Sequence, residues 1–299
     1  MNQGIHHFGA VALIGRPNAG KSTLLNYLVG EKIAIVTDKP QTTRTRIMGI
    51  VTRPNWQMVV YDTPGIHKPK DRLGKNMVDT ALAVLSGVDV IYYLVDAAVK
   101  FGPGEAYLLE VLQKVKTPVF LLLNKVDLLP KESLLPMIDE YRQRMDFARI
   151  FPLSALTGDN VAPLLEETSA LLPLGPPCYA EDEMTDQPER WIVAEMVREK
   201  AIMATRQEVP YALAVIVERM ESRKPELMDV YVAIVVERSS QKGILIGKGG
   251  KTLKWIGEEA RKDIEDLLGV QVNLQLWVRV KADWRNQAYQ LRQLGLEEK

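Results

Sequence analysis

The sequence predicts an α/β fold: a doubly wound, mostly parallel sheet with one antiparallel edge strand, followed by a smaller α+β domain. Short apolar runs alternate with amphipathic stretches from residue 8 to about 172, which is the pattern of buried strands joined by helices. A Pro-rich segment from about 171 to 190 ends that alternation, and the element order changes after it. The length of 299 residues also exceeds the usual size of one hydrophobic core. We therefore expect two domains, at residues 1–175 and 190–299, with a linker at 176–189.

The strands of the first domain are predicted from apolar runs bounded by Gly, Pro, Asp or Asn. These runs are FGAVALIG, WQMVVYD, VDVIYYLVD, TPVFLLLN and ARIFPLS, with helices expected at about 20–29, 74–86, 104–115, 131–145 and 160–172. RIMGIV and WQMVVYD are separated only by TRPN, which is too short for a crossover helix. That pair is expected to form an antiparallel hairpin at one edge of the sheet.

The second domain begins with an amphipathic helix at about 188–206. Two strands follow, YALAVIVERM and LMDVYVAIVVER, then a Gly-rich turn, another helix and the strand VQVNLQLWVRV. The apolar spacing of the first helix suits either packing onto the sheet or contact with a membrane surface, and we favour packing.

Composition narrows the class of protein. The chain has 38 basic and 38 acidic residues, so any signal for a polyanionic partner must be local. No apolar run approaches the roughly 20 residues of a membrane-spanning helix, and the N-terminus lacks a targeting pattern. Cys178 is the single cysteine, which excludes an internal disulfide. We expect a cytoplasmic protein.

The segment GRPNAGKS follows a predicted strand and opens a helix, the context of a phosphate-binding loop. Its backbone N–H groups and the helix N-terminus attract phosphate oxygens. Lys21 is expected to reach the β and γ phosphates, and Ser22 to ligate Mg²⁺. A ligand-free glycine turn is the alternative for this motif alone.

Two further segments complete the expected phosphate and magnesium site. DTPG ends the run WQMVVYD, where Asp62 can hold Mg²⁺ and the Gly65 N–H can sense the γ phosphate. QTTRTR offers a threonine whose hydroxyl caps Mg²⁺ only when the γ phosphate is present. Thr43 is our choice, and Thr42 remains an alternative.

The base is selected by NKVD, which ends a buried strand. Asp127 can accept two hydrogen bonds from guanine N1–H and the exocyclic amine, whereas adenine would leave the carboxylate unsatisfied. SAL follows the next strand, and its Ala155 N–H is expected to face the guanine oxygen. The residues assigned to the nucleotide are Gly15, Arg16, Pro17, Asn18, Ala19, Gly20, Lys21, Ser22, Thr23, Asp62, Thr63, Pro64, Gly65, Asn124, Lys125, Asp127, Ser154, Ala155 and Leu156.

These five motifs, in this order, resemble those of the translation-factor-related GTPases and, within them, the Era family. Related GTPases often carry a glutamine after DxxG that orients the attacking water, but this chain has Ile66. Asn18 matches an asparagine that related GTPases link to a potassium ion beside the phosphates, although turn chemistry explains it equally well. The resemblance implies slow GTP hydrolysis that uses Lys21, Thr43 and Gly65, with Asn18 and K⁺ as a possible addition.

The second domain contains GKGG between apolar residues and a helix. This turn and the element order around it resemble a type 2 KH module, in which glycines let a nucleic-acid backbone approach. Residues 238–254 carry five basic side chains and no acidic one, which gives a local positive field. The alternative is a solvated helical surface. The residues assigned to RNA are Arg238, Lys242, Ile246, Gly247, Lys248, Gly249, Gly250, Lys251, Lys254, Trp284 and Arg285. For Trp284 we favour core packing or a helix start over stacking on a base.

A GTPase domain followed by a KH domain is the layout of the Era family. The resemblance implies GTP and Mg²⁺ as cofactors, binding of single-stranded ribosomal RNA near the 3′ end of the small-subunit RNA, and a role in assembly of the small ribosomal subunit. It also implies peripheral contact with the inner face of the cell membrane, and we expect a monomer. Two alternatives stay open: a constitutive RNA-binding protein with a structural nucleotide, and a P-loop kinase or ATPase.

Overall fold

A computed structural model describes residues 6–297 and divides them into two compact units. Among the described residues, the first unit comprises 6–34, 43–69 and 77–186, and the second comprises 35–42, 70–76 and 187–297. The division differs from the expected domain bounds in two ways. Most of the predicted linker belongs to the first unit, and two short segments from the first half of the sequence belong to the second unit.

The first unit contains a six-stranded sheet within the described part of the chain. Its strands are β1 His7–Gly15, β2 Ile47–Arg53, β3 Trp56–Asp62, β4 Val90–Asp96, β5 Val119–Asn124 and β6 Arg149–Leu153. The order is β2-β3-β1-β4-β5-β6, in which the edge strand β2 is antiparallel to β3 and the other neighbours are parallel. The predicted fold class and edge hairpin are confirmed.

The helices of the first half of the sequence follow the strands as the alternation predicts. They are α1 Lys21–Val29, α2 Arg72–Ala83, α3 Pro103–Leu112, α4 Leu134–Arg142 and α5 Val161–Ser169. The residues of α2 from 77 onward belong to the first unit, and residues 72–76 belong to the second. Strands β1, β4 and β5 are central, and their near-continuous apolar runs are buried because both faces of a doubly wound sheet are covered.

Parallel strands bring their carboxyl ends to one edge of the sheet. In the register, Leu13 is opposite Asp62 and Asp96 is opposite Asn124. Asn124 is in turn opposite Leu153. The strand ends that carry the predicted motifs are therefore neighbours, at the edge where ligands bind in open α/β sheets.

The predicted linker is not a free connection. The Gln57 side chain is fully buried, and its Oε1 accepts the backbone N–H groups of Cys178 at 2.8 Å and Tyr179 at 2.9 Å. The Thr185 hydroxyl donates to the Met48 carbonyl at 2.6 Å. Prolines keep this segment out of regular structure, and its backbone bonds to β3 through the Gln57 side chain and to β2 through the Met184 carbonyl, which accepts the Ile50 N–H at 2.8 Å.

The second unit is α+β, as predicted. Its elements are α6 Glu189–Met203, α7 Val209–Ala212, β7 Ala214–Lys224, β8 Leu227–Val236, α8 Ser239–Ile246, α9 Lys251–Leu268, β9 Gln271–Val280 and α10 Ala288–Gln293. The sheet order is β7-β8-β9, with β7 antiparallel and β9 parallel to β8.

Helix α6 packs rather than lying on a membrane surface. Its apolar residues Ile192, Val193, Met196 and Val197 are buried in the core of this unit together with side chains of the sheet and of α9. The apolar spacing that also suited a membrane surface is therefore used inside the domain. Among the residues described, no helix combines the length and apolar character needed to cross a bilayer.

Candidate nucleotide and nucleic-acid sites

The loop between β1 and α1 depends on glycine at two positions. Gly20 caps α1 with a φ of +96°, a left-handed conformation that other residues adopt at a cost. A Cβ on Gly15 would lie 2.4 Å from the Leu94 carbonyl oxygen, so the loop can approach β4 closely only with glycine there. The backbone is thus shaped to present N–H groups at a helix N-terminus, where anions bind.

Lys21 is buried beneath this loop. Its Nζ donates to the carbonyl oxygens of Gly15 at 3.2 Å and Arg16 at 2.9 Å. Burial lowers the pKa of Lys21 to about 8, and the nearby Asp62 opposes that shift. A desolvated ammonium group gains strongly from an anion, which is the property needed to bind nucleotide phosphates.

Three oxygen-bearing side chains meet beside Lys21. The Ser22 hydroxyl donates to Asp62 Oδ2 at 2.5 Å and lies 2.9 Å from the Thr43 hydroxyl, which is 3.4 Å from the same Asp62 oxygen. Thr42 does not join them, because its hydroxyl bonds to Thr37 and to the Lys39 carbonyl. The structure thus separates two adjacent threonines that sequence chemistry could not tell apart.

The Asp62 carboxylate is prepared for a cation. It is fully buried, its Oδ1 makes no hydrogen bond within the described residues, and desolvation raises its pKa to about 6 although Lys21 opposes that rise. A carboxylate beside two hydroxyls is the hard oxygen set that Mg²⁺ prefers. The residues present therefore fit a magnesium ion.

The DTPG turn lies directly against the phosphate-binding loop. A Cβ on Gly65 would lie 2.5 Å from the Pro17 backbone nitrogen, and the Ile66 N–H donates to the Gly15 carbonyl at 3.2 Å. The Ile66 side chain is buried in the core of the sheet. The residue that replaces the water-orienting glutamine therefore points away from the loop as well as lacking a polar group.

Asn124 connects the loops at the base-binding end. Its amide donates to the Ala19 carbonyl at 2.8 Å, and its Oδ1 accepts the Ala155 N–H at 2.8 Å. Asn124 thus holds the Ala155 N–H at this end of the site, and its contact with the guanine oxygen stays a prediction. Lys125 has a φ of +68° and bonds Asp96 at 2.5 Å, while Asp127 is exposed at the same turn.

Some residues of the predicted set serve the fold. The Thr63 hydroxyl donates to the Leu13 carbonyl at 2.7 Å inside the sheet, and the buried Ser154 hydroxyl accepts the Thr157 N–H. Sequence reasoning missed Glu105, which is buried and accepts two hydrogen bonds from Arg16 at 3.0 and 3.1 Å. Its place in the first turn after Pro103 is a helix-capping signal that gave no hint of this partner.

The GKGG turn joins α8 to α9 and needs its glycines. Gly247, Gly249 and Gly250 have φ values of +72°, +62° and +76°. Within residues 6–297, no atom outside the immediate chain neighbours lies within 4 Å of a Cβ built on Gly249 or Gly250, so that side of the turn is open. The turn can therefore receive another backbone at close range.

A groove of about 370 Å³ runs from this turn between α9 and β9. Its lining is Gly250, Leu253, Lys254, Gly257, Glu258, Arg261, Val272, Asn273, Leu274 and Leu276. Sequence reasoning missed the part formed by β9, because that strand carries no motif. Gly257 was the available signal: a glycine inside a helix often marks a close approach, and here its missing side chain faces Leu276.

The basic residues assigned to RNA are placed around the turn. Lys248, Lys251 and Lys254 are exposed beside GKGG, and Arg238 is exposed at the start of α8. Lys242 is half-buried on α8, and Lys254 makes a loose 3.7 Å ion pair with Glu258. Ile246 is packed against the core, so its role is to hold the turn.

Trp284 does not fit the predicted role. Its indole is fully buried and donates to the Ala212 carbonyl at 3.0 Å, so it cannot stack on a base. The assignment of Trp284 to RNA contact is corrected, and core packing explains this residue. Arg285 is partly exposed and bonds Asp71 at 3.0 Å and Glu237 at 2.7 Å, and its contact with RNA stays a prediction.

Comparison with known families matches both halves of the chain. A family model described as 50S ribosome-binding GTPase matches residues 10–125, and a KH domain model matches residues 208–285. GTPase Era of Lacticaseibacillus paracasei is 51% identical to this chain over 294 residues, which is 98% of each protein.

Solved structures agree over the same length. A crystal structure of Era in complex with MgGDPNP and nucleotides 1506–1542 of 16S ribosomal RNA has a TM-score of 0.95 and 40% identity, covering 98% of this chain and 100% of that one. A crystal structure of an Aquifex aeolicus Era variant bound to GDP and AlF₄⁻ has a TM-score of 0.94 and 40% identity, with the same coverage.

Proposed function

Because the chain belongs to the Era family of GTPases, we propose that it is a GTP-hydrolysing switch that binds ribosomal RNA near the 3′ end of the small-subunit RNA and assists assembly of that subunit. The observation that carries this proposal is the meeting of Lys21, Ser22, Thr43 and Asp62 at the end of one sheet. Their ammonium, hydroxyl and carboxylate groups match a triphosphate with magnesium. The RNA part depends on the GKGG turn and its groove.

In the nucleotide part, Lys21 binds the β and γ phosphates, and Ser22, Thr43 and Asp62 hold Mg²⁺ when it is bound. The magnesium ion neutralises phosphate charge. The Gly65 N–H, which lies against the phosphate-binding loop, senses the γ phosphate. Thr43 engages only when that phosphate is present, so the bound nucleotide determines the order of this segment.

Guanine is selected by Asp127. The carboxylate is exposed at the turn after β5, where the Lys125–Asp96 ion pair and Asn124 fix the backbone. Two charge-assisted hydrogen bonds of about 1.5–3 kcal/mol each give discrimination on the order of a thousandfold or more over adenine. This selection argues against a P-loop kinase or ATPase.

We expect the chain to hydrolyse GTP slowly unless K⁺ or a partner raises the rate. By analogy with intrinsic GTPases, a rate on the order of 10⁻⁴ to 10⁻² per second is expected, because Ile66 is buried and cannot orient water. Asn18, which has a φ of +63° in the phosphate-binding loop, is the candidate contact of a potassium ion. Equal rates of GTP hydrolysis in K⁺ and Na⁺ would remove Asn18 from this role.

RNA binding uses the open face of GKGG and the adjoining groove. Lys248, Lys251 and Lys254 attract the phosphate backbone, which approaches the glycines, and unstacked bases enter the apolar groove between α9 and β9. Leu253 and Leu276 offer apolar contact, while Asn273 and Arg261 offer hydrogen bonds that select bases. Single-stranded RNA is favoured because its bases can leave the stack.

We place this activity in the cytoplasm and expect the chain to act as a monomer. Peripheral contact with the inner face of the cell membrane, which the family resemblance implies, is a separate part of the proposal that α6 does not support, because apolar side chains of this helix are buried. A flotation assay with anionic vesicles tests that part separately.

RNA crosslinking and sequencing in the presence of Mg²⁺ with a GTP analogue, and again with GDP, tests the whole proposal. Enrichment of the 3′ end of the small-subunit RNA with the GTP analogue, reduced with GDP, is expected. Equal enrichment in both states would favour the constitutive RNA-binding alternative, and enrichment of unrelated RNA would contradict the target.

A further inference from the structure

The segment 35–42, which directly precedes Thr43, is a closed loop that belongs to the second unit. The hydroxyls of Thr37 and Thr42 are 2.6 Å apart, and the Thr42 hydroxyl also donates to the Lys39 carbonyl at 2.7 Å. The Lys39 N–H donates to the Thr37 hydroxyl at 3.1 Å. These bonds join the two ends of the segment, so the loop moves as one piece.

Two consecutive residues of α6 hold this loop at its two ends. Arg198 and Glu199 are only 2% and 3% exposed, which is unusual for charged side chains. The Arg198 guanidinium donates to the Thr42 carbonyl, and Glu199 accepts the Val36 N–H at 3.0 Å. The first and last parts of the loop are therefore bonded to the same turn of the helix.

Other contacts orient the two side chains. Arg198 is oriented by the Glu195 carboxylate through Nε at 2.6 Å, and its Nη1 is buried without a hydrogen-bond partner in the described chain. Glu199 also bonds Lys200, at 3.2 Å. Release of the loop would remove hydrogen-bond partners from two buried charged groups, which is costly, so the bonds favour the held loop.

We propose that Arg198 and Glu199 are positioning residues for Thr43, so that helix α6 determines how readily the Thr43 hydroxyl reaches Ser22 and Asp62. Adjacent Cα atoms are about 3.8 Å apart, so the bonded Thr42 carbonyl restricts where Thr43 can lie. In the structure the loop is held and the Thr43 hydroxyl is 2.9 Å from Ser22. The inference rests on the proposed role of Thr43 in sensing the γ phosphate.

The coupling between the loop and the nucleotide is reciprocal. If the held loop favours Mg²⁺·GTP through Thr43, then Mg²⁺·GTP must favour the held loop by the same factor. The nucleotide state is thereby transmitted to α6, which packs in the core shared with the GKGG helices. GDP lacks the γ phosphate and leaves the loop free to detach.

The test compares Glu199→Ala with Glu199→Gln in the full chain. Glutamine keeps an oxygen that can accept the Val36 N–H, whereas alanine removes it. Arg190→Ala is the matched control, because it deletes the 2.8 Å hydrogen bond from another charged side chain of α6 to the Val217 carbonyl, which involves neither Glu199 nor the loop. Affinities for the GTP analogue GMPPNP with Mg²⁺ and for GDP are measured by calorimetry.

Glu199→Ala is expected to weaken GMPPNP binding about tenfold, a typical coupling between sites, while GDP binding stays within twofold. Glu199→Gln and Arg190→Ala should both keep the wild-type ratio of GMPPNP to GDP affinity. An unchanged ratio in folded Glu199→Ala would overturn the inference. Failure of the wild-type chain to bind any guanine nucleotide would instead contradict the proposed function.

A second test uses the wild-type protein, so its result does not depend on whether a variant folds. Amide hydrogen exchange of residues 35–42 should be at least about tenfold slower with GMPPNP and Mg²⁺ than with GDP. Equal protection in the two states would contradict the inference even if Glu199→Ala cannot be purified.

Discussion

The nucleotide site and the RNA groove differ in their exposure to water. Lys21 and Asp62 are buried, and burial shifts the pKa of each. Lys248, Lys251 and Lys254 are exposed around an open turn. A buried site gains strength from fixed, desolvated groups, so single atoms decide its specificity. An exposed cationic surface is screened by salt, so its affinity depends on ionic strength and on how closely a partner can approach.

The largest expected effect is at the base-binding turn, where Asp127→Asn replaces a double acceptor with an amide. The preference for GTP over ATP should fall on the order of a thousandfold, because the amide cannot accept both guanine N–H groups. Competition binding with both nucleotides measures it. Asp146→Asn, at an exposed position outside the motif, is the control and should change nothing. A retained guanine preference in Asp127→Asn would contradict the assignment.

Asp62→Asn tests how far the buried negative charge of Asp62 lowers the stability of the folded protein. Because the pKa of Asp62 is raised to about 6 in the folded chain, the folded state holds a proton more tightly than the unfolded state. Stability without nucleotide and metal therefore falls as pH rises from about 4 to about 6, then levels off.

Asparagine carries no charge there, so Asp62→Asn should be more stable than wild type by up to about 3 kcal/mol at pH 7.5 and by only about 1 kcal/mol at pH 4.5. Urea unfolding at both pH values measures the difference. The same variant should lose Mg²⁺-dependent GTP binding. Equal stability of the two proteins at pH 7.5 would show that Asp62 is solvated.

The proposed role of the groove between α9 and β9 is tested by filling the groove with a larger side chain. Gly257→Leu places a side chain where a Cβ already lies 3.4 Å from Leu276, so it should fill the groove and weaken RNA binding about tenfold. Gly257→Ala is the matched control and should stay within twofold. GTP binding should not change in either variant. RNA affinity that is insensitive to leucine would place the bases elsewhere.

The smallest effect is expected for the exposed lysines. Lys248→Ala with Lys251→Ala should weaken RNA binding at all sequences alike and reduce the slope of log affinity against log salt by about 0.7 per lysine. Lys262→Ala, on the same helix and paired with Glu259, should keep the slope. A change in sequence preference without a change in slope would mean that these lysines contact bases.

The two regions also differed in what the sequence could predict. Lys21, Asp62 and Asn124 belong to contiguous motifs at strand ends, and parallel strands bring such ends together. The fold class follows from the same periodic signal. Only the side of the groove formed by the GKGG turn and α9 could be predicted. Leu274 and Leu276 on the other side lie on a strand without a motif and reach α9 through tertiary packing.

Other features that the sequence alone could not decide have the same physical origin. Thr42 and Thr43 have identical side chains, and only the backbone path directs one to Asp62 and the other to Lys39. The sequence does not show that Trp284 is buried, because the acceptor of its indole N–H, the Ala212 carbonyl, lies 72 residues away along the chain. Long-range partners of this kind leave no local pattern.

The most direct test of the central claim is a titration of the purified wild-type chain with RNA matching the 3′ end of small-subunit ribosomal RNA, at fixed salt and Mg²⁺. The account predicts affinity at least about fivefold higher with GMPPNP than with GDP, within the usual range of coupling between two sites. Equal affinity in the two nucleotide states would contradict it, since the buried site would then have no effect on the exposed one.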